Sequence, residues 1–299
     1  MGRMHWDRIT EKTGVFTTRF ALIPAYRVSE RELVLIDSGA QAHPELLAEL
    51  DSQGLRVAAV ICTHLHPDHI ANNRALRDRY GTEIFATPEE LREVAPRYAL
   101  LRADPLEEKW LWTEPDYPIT PLAGSGVREL PVCAARFTIL PTPGHVEGHI
   151  AVVTPDGICC LGDAMMSVRQ LETAQLPYME YDVDQAVETM SMLGRTHYAG
   201  YCVAHRGVIP PEELPALIRA NIQKELALYD LLRRLLTAPM ELEEAVTAFM
   251  RAAGVVREVA LRRSTMRHSA QTRIAALVRS GELRLDHGRV FPAAAQDHP

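Results

Sequence analysis

Residues 64–69 read His64-Leu65-His66-Pro67-Asp68-His69 and follow, after Thr63, on 57–62, a compact run rich in β-branched residues. Such a run is the kind buried in a sheet, so the polar segment starts where a strand ends, the place at which α/β folds usually put their chemistry. Three imidazoles and a carboxylate within six positions constrain the chain more than any other feature. Neutral imidazole with carboxylate suits Zn²⁺, Fe²⁺ or Mn²⁺ and leaves coordination positions open for water. In an extended loop, alternation points His64 and His66 the same way, while Asp68 and His69, just past Pro67, turn toward a second ion. One short segment is thus expected to serve two metals.

Three more residues are needed to close such a pair. His145 follows the strand-like run 136–140 through Thr142-Pro143-Gly144, Asp163 follows 157–161 through Gly162, and His205 ends 201–204. A lone His after a strand is usually a hydrogen-bonding residue, and a lone Asp after Gly a turn residue. Three such strand ends, in order and downstream of a dense His motif, reverse that reading. A carboxylate between two cations holds them about 3.5–4 Å apart, and Asp163 is the candidate bridge.

Strands are also expected at 15–23, 33–37, 83–86 and 149–153, and helices at 44–50, 70–80, 88–94 and 183–193. Residues 96–126 are less regular, and with Trp110, Trp112 and Tyr117 they read as an insertion near the mouth of the site. Beyond Pro210-Pro211 the pattern changes: one long helix over 212–236, shorter ones over 240–253, 255–263 and 269–280, then a hairpin, 282–285 and 289–291, about Asp286-His287-Gly288. That is the plan of a winged helix. The expected division is a catalytic domain over 1–210 and a small, mostly helical winged-helix-like domain over 211–299.

With 299 residues, 47% of them hydrophobic, the chain can bury an ordinary core. A formal charge of −7 argues against whole-surface attraction to nucleic acid or acidic membranes. Residues 1–7 hold no signal-peptide core, and nowhere do about 18 uncharged apolar residues run together, so a soluble cytoplasmic protein with no membrane partner is expected. Cys62, Cys133, Cys159, Cys160 and Cys202 lie in apolar, strand-like segments without zinc-ribbon or disulfide spacing and read as buried thiols.

His64-x-His66-x-Asp68-His69, Pro143-Gly144-His145-x-x-Gly148-His149, Gly162-Asp163 and the single His205 together resemble, in order, the motifs of the metallo-β-lactamase-fold hydrolase superfamily. The resemblance covers about residues 14–210 and implies an α/β (α+β) fold, an αββα sandwich. It implies that His64, His66 and His145 hold one metal and Asp68, His69 and His205 the other, with Asp163 shared. It also gives His149 and Asp37 supporting roles outside the ligand shell. The tail resembles the winged-helix module of one branch of the superfamily, a branch that includes an RNA endonuclease.

Two divalent ions, zinc first with iron or manganese as alternatives, would share a water, lower its pKa and supply hydroxide, with Asp68 also assigned to the catalytic step. No Gly-x-Ser-x-Gly elbow or phosphate-cradling Gly-Lys-Ser/Thr loop offers another chemistry. The expected substrate is a small ester-like molecule, a thioester or lactone, in the manner of hydroxyacylglutathione hydrolase, although no motif for glutathione itself is found. Tyr178 and Tyr181 are candidates to donate a hydrogen bond to a leaving group. A true β-lactamase is disfavoured by the missing export signal and by His69. The alternative is an endonuclease on RNA or single-stranded nucleic acid: residues 251–290 carry nine arginines against three acids, a balance of +6, with Arg273 and Arg279 on the last helix. Such tails also wall an active site or dimerise, so a homodimer is a further expectation. A binding protein without turnover would be favoured by a lost ligand, and none of the seven is missing.

Overall fold

Antiparallel pairing opens the chain: β1 (Trp6–Arg8), β2 (Thr13–Thr17), β3 (Leu22–Arg27) and β4 (Glu32–Ile36) form a meander. Parallel pairing then requires crossovers. These are α1 (Pro44–Ser52) before β5 (Arg56–Ile61), α2 (Pro67–Ile70) and α3 (Asn73–Tyr80) before β6 (Glu83–Ala86), and α4 (Pro88–Ala103) before β7 (Thr120–Pro121). A second sheet takes β8 (Arg128–Val132), β9 (Ala135–Pro141), β10 (Ile150–Val153) and β11 (Ile158–Cys160). After α5 (Val168–Thr173) and α6 (Val183–Leu193) it adds β12 (Gly200–Val203), parallel to β11, and β13 (Gly207–Ile209). The tail is α7 (Leu214–Leu235), β14 (Met240–Glu241), α8 (Leu242–Ala252), α9 (Ser264–Arg279), β15 (Leu283–Asp286) and β16 (Arg289–Pro292), with the three strands in order β14-β16-β15. This structure, a computed structural model, describes residues 5–18, 21–40, 42–106, 115–205, 207–258 and 263–293.

Strand alternation sets the layers. Along β4, Val34 and Ile36 face the second sheet while Leu33 and Leu35 meet Leu46 and Leu50 of α1. Along β10, Ile150 and Val152 complete the layer between the sheets, and Ala151 and Val153 face outward to Met190 and Leu193 of α6. The result is the expected αββα order. The outer apolar cluster of the second sheet continues without a break into Leu217, Leu228 and Leu232 of α7, Phe249 of α8 and Leu277 of α9. The tail therefore shares a core with the sheet that carries His145, Asp163 and His205.

Several boundaries differ from the sequence pattern, each for a local reason. The run 15–23 is two strands, because the chain reverses between Thr17 and Leu22 and pairs them. The helix expected to stop at 94 runs through Pro96 to Ala103; a proline removes one helical hydrogen bond but does not end a helix that is packed along its length. The span 70–80 is split into α2 and α3. Residues 240–241 pair with β16 before α8 begins, and α9 starts at Ser264 rather than 269. Cys133 is exposed in the β8–β9 turn, where its φ is +53°; the other four cysteines are buried. Trp110 and Trp112 lie outside the described residues, as do 259–262 of the helix expected over 255–263. Among the described residues no helix is long and apolar enough to cross a membrane.

Candidate metal centre

The His-rich segment is fixed at the ends of two adjacent parallel strands. Thr63, just past β5, donates its N–H to Asp37 Oδ1 at 2.7 Å and its hydroxyl to Oδ2 at 2.7 Å; Asp37 stands just past β4 with φ +59°. The same Oδ2 accepts His69 Nδ1–H at 2.8 Å. Asp68 and His69 sit on the one-turn helix α2, not in an extended loop as the alternation predicts. Pro67 occupies the first helical position, where its fixed φ and missing N–H fit, and His66 is the N-cap.

Three imidazole nitrogens converge here: His64 Nε2 and His145 Nε2 each lie 3.0 Å from His66 Nδ1. The far nitrogen of each ring is spoken for. Thr63 Oγ1, its own proton given to Asp37, accepts from His64 Nδ1 at 3.1 Å. Glu180 Oε2 accepts from His66 Nε2 at 2.9 Å, and the Tyr178 carbonyl from His145 Nδ1 at 3.1 Å. With the tautomers assigned from this network, all three lone pairs point at one buried spot. Burial, with His66 adding repulsion, pushes His145 down to about 4, so the ring is neutral at pH 7. Three facing lone pairs are unfavourable unless a cation accepts them, and this donor set fits one.

Asp68, His69, Asp163 and His205 form the second group, each offering an atom within 4.8 Å of the others. Asp163 spans both groups: Oδ1 lies 3.4 Å from His69 Nε2 and 3.3 Å from His205 Nε2, while Oδ2 lies 3.7 Å from His145 Nε2. His69 Nε2 is buried and makes no hydrogen bond of good geometry, although its Nδ1 is bonded to Asp37. Burial opposes charge on His205, but the Asp163 carboxylate overcomes it and lifts the ring to about 9. Binding a cation at this group must displace such protons.

His149 serves the site from behind. Its Nε2 accepts the Asp163 N–H at 3.0 Å and its Nδ1 donates to Thr142 Oγ1 at 2.8 Å, so neither nitrogen is left for an ion. Gly144, beside His145, has φ +139°, and a Cβ there would lie 2.4 Å from Ala186 Cα at the start of α6. Gly144→Ala is expected to cost about 1–3 kcal/mol by forcing loop and helix apart, read as a lower Tm by calorimetry; an unchanged Tm would contradict this packing.

Sequence reasoning missed the chain of charges behind His66. Glu180 Oε1 accepts from Arg97 Nε at 2.7 Å, and Arg97 donates on to buried Glu90 at 3.0 and 3.2 Å. Glu90 also accepts the Leu65 N–H at 2.8 Å, which holds the His segment from its other side. No local motif marks these residues, since they come from α4 and from the loop after α5. Tyr178 lines the site, and its hydroxyl donates to Glu180 at 3.0 Å. Tyr181 lines an adjoining cavity of about 370 Å³ that shares Arg97, Leu101, Tyr178 and Thr265 with the first, and does not itself line the site.

Helix α9 grips the segment 177–180 that provides two of the acceptors above. Ser269 Oγ donates to the Pro177 carbonyl and accepts the Met179 N–H, both at 2.9 Å; Arg273 Nη2 donates to the same carbonyl at 2.9 Å; and His268 Nε2 donates to the Glu180 carbonyl at 2.7 Å. Arg273 is fully buried and makes a two-pronged pair with Glu225 of α7, at 2.9 and 2.7 Å. It is therefore unavailable to a phosphate, contrary to its place in the basic stripe. Arg279 pairs with Asp182 and Asp184, Arg289 with Glu241, and Arg267 with Glu243.

A cavity of about 410 Å³ opens over His66, Asp68, His145, Asp163 and His205 and is otherwise walled mainly by Leu101, Tyr178 and four methionines. Arg263, Thr265 and Met266, at the start of α9, form part of its wall.

The family profile of the metallo-beta-lactamase superfamily matches residues 21–205. Hydroxyacylglutathione hydrolase of Methylobacillus flagellatus is 30% identical over 132 residues, 44% of this chain and 42% of that protein. The enzyme of the same name from Thiobacillus denitrificans is 31% identical over 137 residues, 44% and 41%. The chain thus spans less than half the length of these curated relatives. In overall shape it is similar to a metallo-beta-lactamase family protein from Thermus thermophilus, with TM-score 0.72 and 17% identity over 97% of this chain and 98% of that one. A beta-lactamase domain protein from Burkholderia ambifaria gives TM-score 0.70 and 18% identity over 96% and 93%. These two likenesses concern the fold and extend through the tail.

Proposed function

Because the chain belongs to the metallo-β-lactamase superfamily, we propose that its two His/Asp groups hold a pair of divalent ions, zinc by preference, and that it hydrolyses a small ester-like substrate, a thioester or lactone. The observation that carries this reading is the convergence of three tautomer-fixed lone pairs beside a carboxylate whose two oxygens face different groups. When bound, such ions acidify a water and polarise the substrate oxygen. The chain's own residues set the stage. Asp37 and Glu180 hold the protons on His69 Nδ1 and His66 Nε2, which keeps the opposite nitrogens available. Asp68, the more exposed of the two site carboxylates, lines the cavity with its Oδ2 3.6 Å from His205 Nε2 and is assigned to the second ion, next to the space a substrate would fill.

The curated relatives' name specifies an acylated glutathione, and the partial overlap with them supports the ester-like class rather than glutathione. The order of the described elements after Pro210, a long helix, a short strand, two further helices and a two-strand hairpin, supports the winged-helix reading. The tail's contribution of Arg263, Thr265 and Met266 to the cavity, and the burial of Arg273, support a wall rather than a nucleic-acid grip.

The test is zinc-loaded protein assayed in parallel on thioesters, lactones, phosphodiesters and short single-stranded RNA, with Asp68→Ala and His69→Ala as controls. Thioester or lactone turnover is expected, reduced at least about a hundredfold in both variants. Cleavage of RNA alone, lost in the same variants, would overturn the small-molecule reading.

A further inference from the structure

Building on the hydrolase reading, we propose that the substrate carries an apolar acyl chain of medium length, seated on a methionine wall that the C-terminal helix completes. Four of the chain's ten methionines gather at this one cavity: Met165 and Met166 just past the Asp163 loop, Met179 from the gripped segment and Met266 from α9. Leu101 of α4 closes the side. The cavity is therefore two-ended. Its polar end is the ligand set, where a carbonyl reacts, and the remaining lining is led by thioether and methyl groups, with Arg97, Gln170, Tyr178, Arg263 and Thr265 among them.

The volume of about 410 Å³ gives room for roughly a dozen water-sized groups at ~30 Å³ each. That suits a chain of six to ten carbons in order of magnitude rather than an acetyl group. Methionine is flexible and polarisable, so such a wall adapts to a bending chain better than it selects one rigid shape. Outside the ligand set the charged lining is limited to two arginines. Of the two arginines in the wall, Arg97 is committed to Glu90 and Glu180, and Arg263 is the other. In the reaction one water is consumed: its oxygen ends on the acyl carbon, the ester C–O or C–S bond breaks, and the departing alcohol or thiol takes a proton.

Burial of each added methylene is expected to raise kcat/KM about three- to fourfold until the chain outgrows the cavity. The experiment is a p-nitrophenyl ester series from acetate to dodecanoate on the zinc-loaded enzyme, with Met266→Ser alongside. The octanoate-to-acetate ratio should be large in the parent and fall at least about tenfold in the variant. A second readout is independent of turnover: methionine methyl NMR of the metal-free protein titrated with octanoate or with acetate. Octanoate should move the Met166 and Met266 methyls, and acetate should not. Turnover indifferent to chain length, or methyls that ignore octanoate, overturns the apolar-chain proposal and leaves the hydrolase standing. Octanoate-specific methyl shifts without hydrolysis of any ester or thioester keep the chain site and overturn the hydrolase reading.

Discussion

Arg273→Met alone is expected to destabilise the protein by about 3–5 kcal/mol, because it leaves buried Glu225 charged and unpaired. The double variant Arg273→Met with Glu225→Leu should regain most of that stability, since an apolar pair of similar volume often replaces a buried ion pair at little cost. Metal binding should not recover with it. Arg273 also holds the Pro177 carbonyl, and the segment it steadies supplies the Tyr178 carbonyl to His145 and the Glu180 carboxylate to His66. Loss of such an outer partner weakens a metal site about 10- to 100-fold. We therefore expect zinc affinity, measured by chelator competition, to drop by at least about tenfold in the double variant despite a near-parental Tm. Parental affinity there would reduce Arg273 to a packing element.

Asp163→Ala should strip more metal than His149→Ala. The Asp163 carboxylate faces both groups, whereas the two ring nitrogens of His149 are taken by the Asp163 N–H and by Thr142 Oγ1. Elemental analysis after zinc loading should give less than one ion per chain for Asp163→Ala. His149→Ala should keep both at reduced affinity. Equal metal content in the two variants would remove Asp163 from its bridging place.

Much of the site was legible because its residues are dense in the chain. His64, His66, Asp68 and His69 announce themselves by spacing, and His145, Asp163 and His205 by their position after apolar runs. Strands β9 to β12 and the β15–β16 hairpin were equally legible, since turn residues bound each, whereas β8, β13 and β14 have too little apolar pattern to stand out. What was hidden has no local spacing to betray it. Thr63 takes its role from sharing Asp37 with His69, across 26 and 32 positions respectively. Glu180 and Arg97 meet across 83 positions. Arg273 looked like one more exposed cation in a basic run. Only tertiary packing separates it from Arg279, six residues further on the same helix, which remains at the surface.

The grip of α9 on residues 177–180 also imposes an order on biogenesis. All seven donor side chains have been synthesised by His205, yet Ser269 and Arg273 leave the ribosome more than sixty residues later. A nascent chain halted between those points holds every donor but lacks the side chains that steady the acceptors behind His66 and His145. Firm uptake of an ion at the three-histidine group is accordingly expected only after α9 has emerged and docked, and a frameshift between His205 and Ser269 would impair it from a distance.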